Sequence, residues 1–423
     1  MMARWRARQL GWPAAESRRA AIVVVIASVA GCSESRYDHL ADRAEEVRQL
    51  QFVDDVPTRT LTPEQFRDEA SQDVDERSDA ELRDYADTYG RLGFFDVNLD
   101  LRPIFVQSRI DATGAFYSAS QKRITFVGAP EDGTVVHEYV HALQDQHFDL
   151  RSYDDGARTT DAFLARRAVV EGDAVLAAAR FLIEEKGGGL DTIDYTAYFN
   201  GWVQYSNDYL NGSPYPLIFR AYTSFVYAYG LMYSATNLFG TSPLVRRPGP
   251  PPHSWKRQDE LFTLRAPATT AQILAMAVDS APVGISDVPA ALAADLSYIA
   301  SDNLGAWYTY LLFRPLTFPP SLRDFDGDQV LFARVTATGA VGVLWASAWH
   351  SESAAMSAAE GLRMLHFATE EPVVVERRLQ RVVLARNFPP SLTPALVDAA
   401  FTGTAAARRS GPLPLHARET KLR

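Results

Sequence analysis

Two histidines and a glutamate stand close together at His137-Glu138-Tyr139-Val140-His141. On a helix, residues four apart lie on one face. His137 and His141 can therefore aim two imidazoles at one divalent ion. Glu138, one step round the helix, can reach a water on that ion. Val136, Val140 and Leu143 give the apolar stripe of a helix. The pattern predicts a helix over 134–146, with Asp132 or Thr134 offering a cap at its start.

A second signal follows downstream. Thr159 or Thr160 can cap a helix that continues to Lys186 and stops at the three glycines 187–189. Its apolar face includes Leu164, Ala168, Val175, Ala178 and Leu182, and Glu171 falls on that face. A carboxylate on a buried face is costly unless it is paired or ligates a metal. Two explanations stand open: a buried arginine or hydroxyl partner, or a third metal ligand. Gly172 beside it weakens the helix interior by about 1 kcal/mol, which a close approach of another helix would explain.

The elements that must position these residues form a mixed pattern. Residues 60–91 read as one or two surface helices with a solvated acidic face. Gly114 to Tyr117 and Arg123 to Val127 read as a strand or hairpin directly before the histidine helix. Residues 190–239 are rich in aromatics and read as helices packed against the active pair, with Tyr227 a candidate to donate a hydrogen bond into the cleft. Residues 257–313 read as helical, after the rigid loop Arg247 to His253. Beyond Pro319 and Pro320, two strands (330–335 and 341–346) flank a turn at Thr338-Gly339. A helix over 351–365, a strand over 378–385 and a final helix near Ala395 complete a small unit. His350 and His366 have no partner pattern there and read as structural.

These motifs together resemble a group of bacterial and archaeal zincin-type metallopeptidases. The resemblance rests on His137-Glu138-x-x-His141-Ala142-Leu143-Gln144-Asp145-Gln146 and on Glu171-Gly172-Asp173-Ala174. Weaker matches are Gly114 to Tyr117, Phe225-x-Tyr227-x-x-Gly230 and Ala268-Thr269-Thr270-x-Gln272-Ile273-Leu274. The resemblance implies a gluzincin-like site, with Zn2+ held by His137, His141 and Glu171 and with Glu138 as catalytic base. It implies an α+β fold: a mainly helical zincin-like core with a small upstream sheet, plus a small C-terminal α+β unit. A rival exists in His147, six residues after His141, the spacing of the third ligand in metzincins. That motif needs a glycine where this chain has Gln144, and a continuing helix rotates His147 away from the metal face. Asp145 and Asp173 are candidates to accept the outer N–H of a ligating imidazole.

The N-terminus reads as a leader. Arg4, Arg6, Arg8, Arg18 and Arg19 precede a small, apolar run from Ala20 to Ala30, too short for a stable span but suited to a signal peptide. Val29-Ala30-Gly31-Cys32 resembles a bacterial lipobox, with Cys32, the single cysteine, as the lipidated residue. The bland alternative is a lone buried cysteine. The leader carries five arginines and one glutamate, so its removal takes the net charge from −10 to −14. That acidity argues against a nucleic-acid partner. With one cysteine, no disulfide can form within the chain, which leaves packing, with or without a metal, to hold the fold.

The expected organisation is a signal peptide (1–31), a tether (32–57), the metallopeptidase core (58–245), a helical extension (246–318), the α+β unit (319–402) and a flexible tail (403–423). The expected activity is hydrolysis of a peptide or protein substrate by a protein anchored to a membrane through its lipid, in the outer membrane facing the periplasm or at the cell surface. The alternative is a non-catalytic envelope lipoprotein whose metal serves structure or partner binding.

Overall fold

A computed structural model describes residues 37–402, apart from 76–77, 113, 213–214, 246–251, 276–293, 317–318 and 366–370. The expected leader, Cys32, His366, the tail and most of the proline-rich loop lie outside the described residues. Among the described residues, no helix is long and apolar enough to cross a membrane.

The fold is α+β. In chain order, α1 is Asp38–Arg48, β1 Thr58–Leu61, α2 Pro63–Asp75, α3 Asp79–Tyr85 and α4 Arg102–Ala112. The hairpin β2 Ala115–Ser118 and β3 Arg123–Val127 precedes α5 Asp132–Phe148, which carries the paired histidines. Then come α6 Leu150–Asp155, α7 Thr160–Glu184, α8 Tyr195–Gly212, α9 Leu217–Val226, α10 Ala228–Phe239 and α11 Thr270–Ala275. The C-terminal part comprises β4 Leu296–Asp302, α12 Gly305–Phe313, β5 Phe325–Val335, β6 Val341–Trp349, α13 Glu352–Met364, β7 Val373–Arg378, β8 Arg381–Arg386 and α14 Thr393–Thr402.

Helix α7 is the axis of the molecule. It opens on Thr159, whose side chain accepts from the Ala162 N–H, the cap the sequence offers. Its first half packs Leu164, Ala168 and Val169 into a core with Phe225, Trp307 and Phe332. Its second half packs Ala174, Val175 and Ala177 into another core with Val136, Val140 and Leu143 of α5 and with Leu40, Ala44 and Val47 of α1. Glu171 lies between the two. The expected close approach is present: a Cβ on Gly172 would sit 2.1 Å from the Gly230 carbonyl carbon, and one on Gly230 would sit 2.1 Å from the Ala168 oxygen. Glycine at both positions lets α10 cross α7 backbone to backbone.

The small sheet has the order β1-β3-β2. β2 and β3 pair antiparallel, as the hairpin pattern predicts. β1 is an addition, parallel to β3, and its four residues carry no period long enough to read. β2 is left at the edge, beside α5.

The larger sheet has the order β4-β5-β6-β8-β7. β5 and β6 meet through a turn with Gly339 at φ +73°. All nine residues of β6 are buried, because both faces are covered. Val343 and Trp345 face α13 with its Ala355 and Ala358, while Leu344 and Ala346 face α14 with its Leu396 and Val397. Two strands depart from expectation. β4 lies in the stretch read as helical, and β7 lies beside a predicted strand that proved to be its partner. Both are outer strands fixed by pairing with a neighbour rather than by their own pattern.

Candidate metal centre

Helix α5 runs from Asp132 to Phe148 without a break. Its N-cap is Glu131, with no side-chain cap bond, and Asp132 occupies the first turn instead. The negative charge of Asp132 there still suits the helix dipole. Neither expected cap residue serves as one. Beyond Asp145 the chain turns at Asp149, in the left-handed region at φ 50°, and its side chain caps α6 through the Ser152 N–H.

His137 and His141 project from the same face and meet Glu171 of α7. The separations are 3.0 Å between the two Nε2 atoms, 3.2 Å from His137 Nε2 to Glu171 Oε2 and 3.3 Å from His141 Nε2 to the same oxygen. Exposures of 5 %, 7 % and 2 % put all three inside the protein. Three lone-pair atoms at such distances repel unless a proton or a cation lies among them. Ligands about 2.05 Å from a tetrahedral metal stand about 3.3 Å apart, so the set fits a small divalent ion. Two nitrogens and one carboxylate oxygen are a borderline donor set that leaves one position for water. The group can therefore hold a metal ion.

The electrostatics agree with a cation-binding pocket. Burial works to lower the His141 pKa, but the Glu171 carboxylate beside it prevails and the net shift is upward. Burial works to raise the Glu171 pKa, but charge on His141 and hydrogen bonds from both histidines hold it well below the carboxylate range, with help from Arg167. Arg167, one turn earlier on α7, donates from Nη2 to Glu171 Oε1 at 2.6 Å. It thereby leaves Oε2 as the oxygen facing the histidines. Its Nη1 lies 3.6 Å from Asp154 of α6. The buried-arginine explanation that the sequence left open for Glu171 is thus realised on Oε1, while Oε2 lies where it could serve as a third ligand.

Glu138 is the fourth buried member, at 7 % exposure. Its Oε2 accepts the backbone N–H of Tyr117 at 2.9 Å. That bond is informative about β2. Gly114 pairs with Val127 through a ladder bond, so the main-chain groups of Ala115 and Tyr117 alternate outward from the sheet. The free edge of β2 therefore runs past the Glu138 carboxylate.

Other expected residues are placed as follows. His147 is exposed, and its Nε2 donates to the Gln51 carbonyl at 2.7 Å. The continuous helix carries it away from the metal face, so it takes no part in the cluster. Asp145 accepts from the Tyr117 hydroxyl and from Lys122, each at 2.6 Å, and from the Leu150 N–H. It fastens the β2–β3 turn to α5 and does not touch an imidazole. The Nδ1 of His141 instead meets Gln144 Oε1 at 2.8 Å, and Asp173 stands behind that amide. Tyr227 sits at the break between α9 and α10, 6.2 Å from the His137 ring centre and stacked on Trp202. His350 pairs with Asp326 at the surface, away from the cluster.

Arg167, Gln144 and the Tyr117 N–H carry functions that composition and spacing did not single out. Arg167 stands four residues before Glu171, a spacing that does signal a helical ion pair. Gln144 stands three after His141, on the same side of α5. The role of a backbone N–H leaves no mark in a sequence.

No protein-family model matches the chain, and neither a curated protein nor a solved structure matches it.

Proposed function

We propose that the protein is a zinc metallopeptidase of gluzincin type, held to a bacterial envelope by a lipid on Cys32. One observation carries the reading: a glutamate from the next helix joins the His137-Glu138-x-x-His141 pair, while Glu138 stands beside the metal face against an edge strand. Bound zinc would supply Lewis acidity, lowering the pKa of a water and polarising a carbonyl. Glu138 takes a proton on its carboxylate during attack and returns it to the leaving amine. The Tyr117 N–H fixes the rotamer in which it does so. The outward groups that Glu138 leaves open, the N–H and C=O of Ala115 and the C=O of Tyr117, pair with an extended peptide and set its carbonyl beside the cluster.

A second reading has one observation in its favour. All four site residues are less than 8 % exposed, which suits a metal held for structure or for a partner. The experiment is zinc content and peptide cleavage by the full chain and by Glu138→Gln. The peptidase reading expects one zinc per chain in both and cleavage by the wild type alone. Equal cleavage by Glu138→Gln would refute it, and zinc without cleavage in the wild type favours the second reading.

A further inference from the structure

Three buried polar residues outside the ligand set form a chain that ends on His141. Gln144 Nε2 donates to the Val170 carbonyl at 3.0 Å and to Asp173 Oδ2 at 2.7 Å. Arg48, the last residue of α1, donates from Nε to the same Asp173 oxygen at 2.7 Å and from Nη2 to Asp259 at 2.7 Å. Gln144, Asp173 and Arg48 have no measurable exposure. The guanidinium also lies over the Trp255 ring, 5.3 Å from its centre.

The chemistry of these groups allows one arrangement. The Val170 carbonyl and the Asp173 carboxylate only accept, so the Gln144 NH2 must face them. Its Oε1 then faces His141 Nδ1 and can only accept. His141 must therefore carry a hydrogen on Nδ1, which makes Nε2 the nitrogen that offers its lone pair to a metal beside His137 and Glu171. A reversed amide would set NH2 against the ring and turn its oxygen against two groups that only accept. Arg48 supplies the charge that makes a buried carboxylate tolerable at position 173.

We infer that Gln144 and Asp173 are positioning residues for the metal: Asp173, neutralised by Arg48 of α1, fixes the amide of Gln144 and through it the Nδ1–H tautomer of His141. The inference rests on the metal-binding part of the function proposed above and not on peptide cleavage. It also gives α1, the helix that follows the lipid-bearing segment, a part in assembling the site.

The test uses the full chain, with the ring-nitrogen signals of His141 recorded by NMR in metal-free protein at a pH high enough for the imidazole to be neutral, and zinc affinity measured by competition with a chelating dye. Gln144→Met keeps the side-chain length and deletes the acceptor without touching the Arg48–Asp173 pair. It should remove the uniform Nδ1–H signature and weaken zinc binding roughly 10- to 100-fold. Asp173→Asn keeps an oxygen toward both donors and should lose less zinc affinity than Asp173→Ala. Asp173→Ala should weaken binding as Gln144→Met does, and it should add nothing in the Gln144→Met background, because the two act through one group. If Asp173→Ala does not fold, the Gln144→Met signature and affinity decide alone. A folded Gln144→Met with wild-type ring signals or wild-type affinity overturns the inference, as does full additivity of the two substitutions. A wild type that binds no zinc defeats the proposed function, while the ring signals still decide the tautomer.

Discussion

Arg167 and the metal share one carboxylate, so removing the arginine should expose their competition. In Arg167→Met, Glu171 loses its 2.6 Å partner on Oε1 and remains buried. Deleting one member of a buried ion pair costs about 3–5 kcal/mol. Unfolding entropy of about 2.1 cal/mol/K per residue over roughly 400 residues gives about 0.8 kcal/mol/K, so the metal-free variant should melt about 4–6 °C below wild type. A cation on Oε2 offsets the same negative charge, so the loss should be smaller with zinc bound. If zinc recovers about 2 kcal/mol of it, linkage requires the variant to bind zinc roughly 30-fold more tightly than wild type. The assays are thermal unfolding with and without saturating zinc, and dye competition for affinity. Equal melting temperatures without metal would show that the pair contributes nothing. Zinc binding that weakens in the variant would show that Arg167 orients Glu171 more than it competes for it. Either result refutes the charge argument.

His147→Ala should leave zinc stoichiometry and affinity unchanged, whereas Glu171→Ala should lose the metal; metal analysis of both proteins decides the third ligand. Gly172→Ala would raise helix propensity by about 1 kcal/mol in isolation, yet its Cβ meets the Gly230 backbone at 2.1 Å. A net loss of about 2 kcal/mol or more in denaturant unfolding is expected, and a neutral or stabilised variant would contradict the crossing geometry. Asp161, whose Oδ1 accepts from both the N–H and the hydroxyl of Thr270, has its pKa raised by burial to about 7, and burial raises Asp328 to about 6. Both lie above the unfolded value, so the folded state holds protons that the unfolded chain has released between about pH 4 and 7. Their contribution therefore favours folding at low pH and is lost as pH rises through that window. Asp161→Asn should gain stability relative to wild type on going from pH 5 to pH 8; a constant difference would argue that Asp161 is ionised throughout.

The chain by itself determined the parts of this protein that are periodic or local. The helical spacing of His137 and His141, the cap at Thr159, the turn at Gly339 and the two strands that flank it are properties of short segments, and each is found in the fold. Glu171 was conspicuous because a carboxylate on an apolar helix face demands a partner. Tertiary structure decided what lies across space. It brought Glu171 over the histidines by packing the second half of α7 against α5. It turned Gln144, which the sequence marked only as standing where a metzincin needs glycine, into the group that meets His141, and moved Asp173 one step back behind it. It drew Arg48 from another helix to cancel a buried charge, and set a backbone N–H of β2 on Glu138. It also made strands of 58–61, 296–302 and 373–378, whose own patterns are weak and whose hydrogen bonds are supplied by neighbours. Spacing along one helix fixes which side chains share a face, but which face meets them depends on packing among segments far apart in the chain.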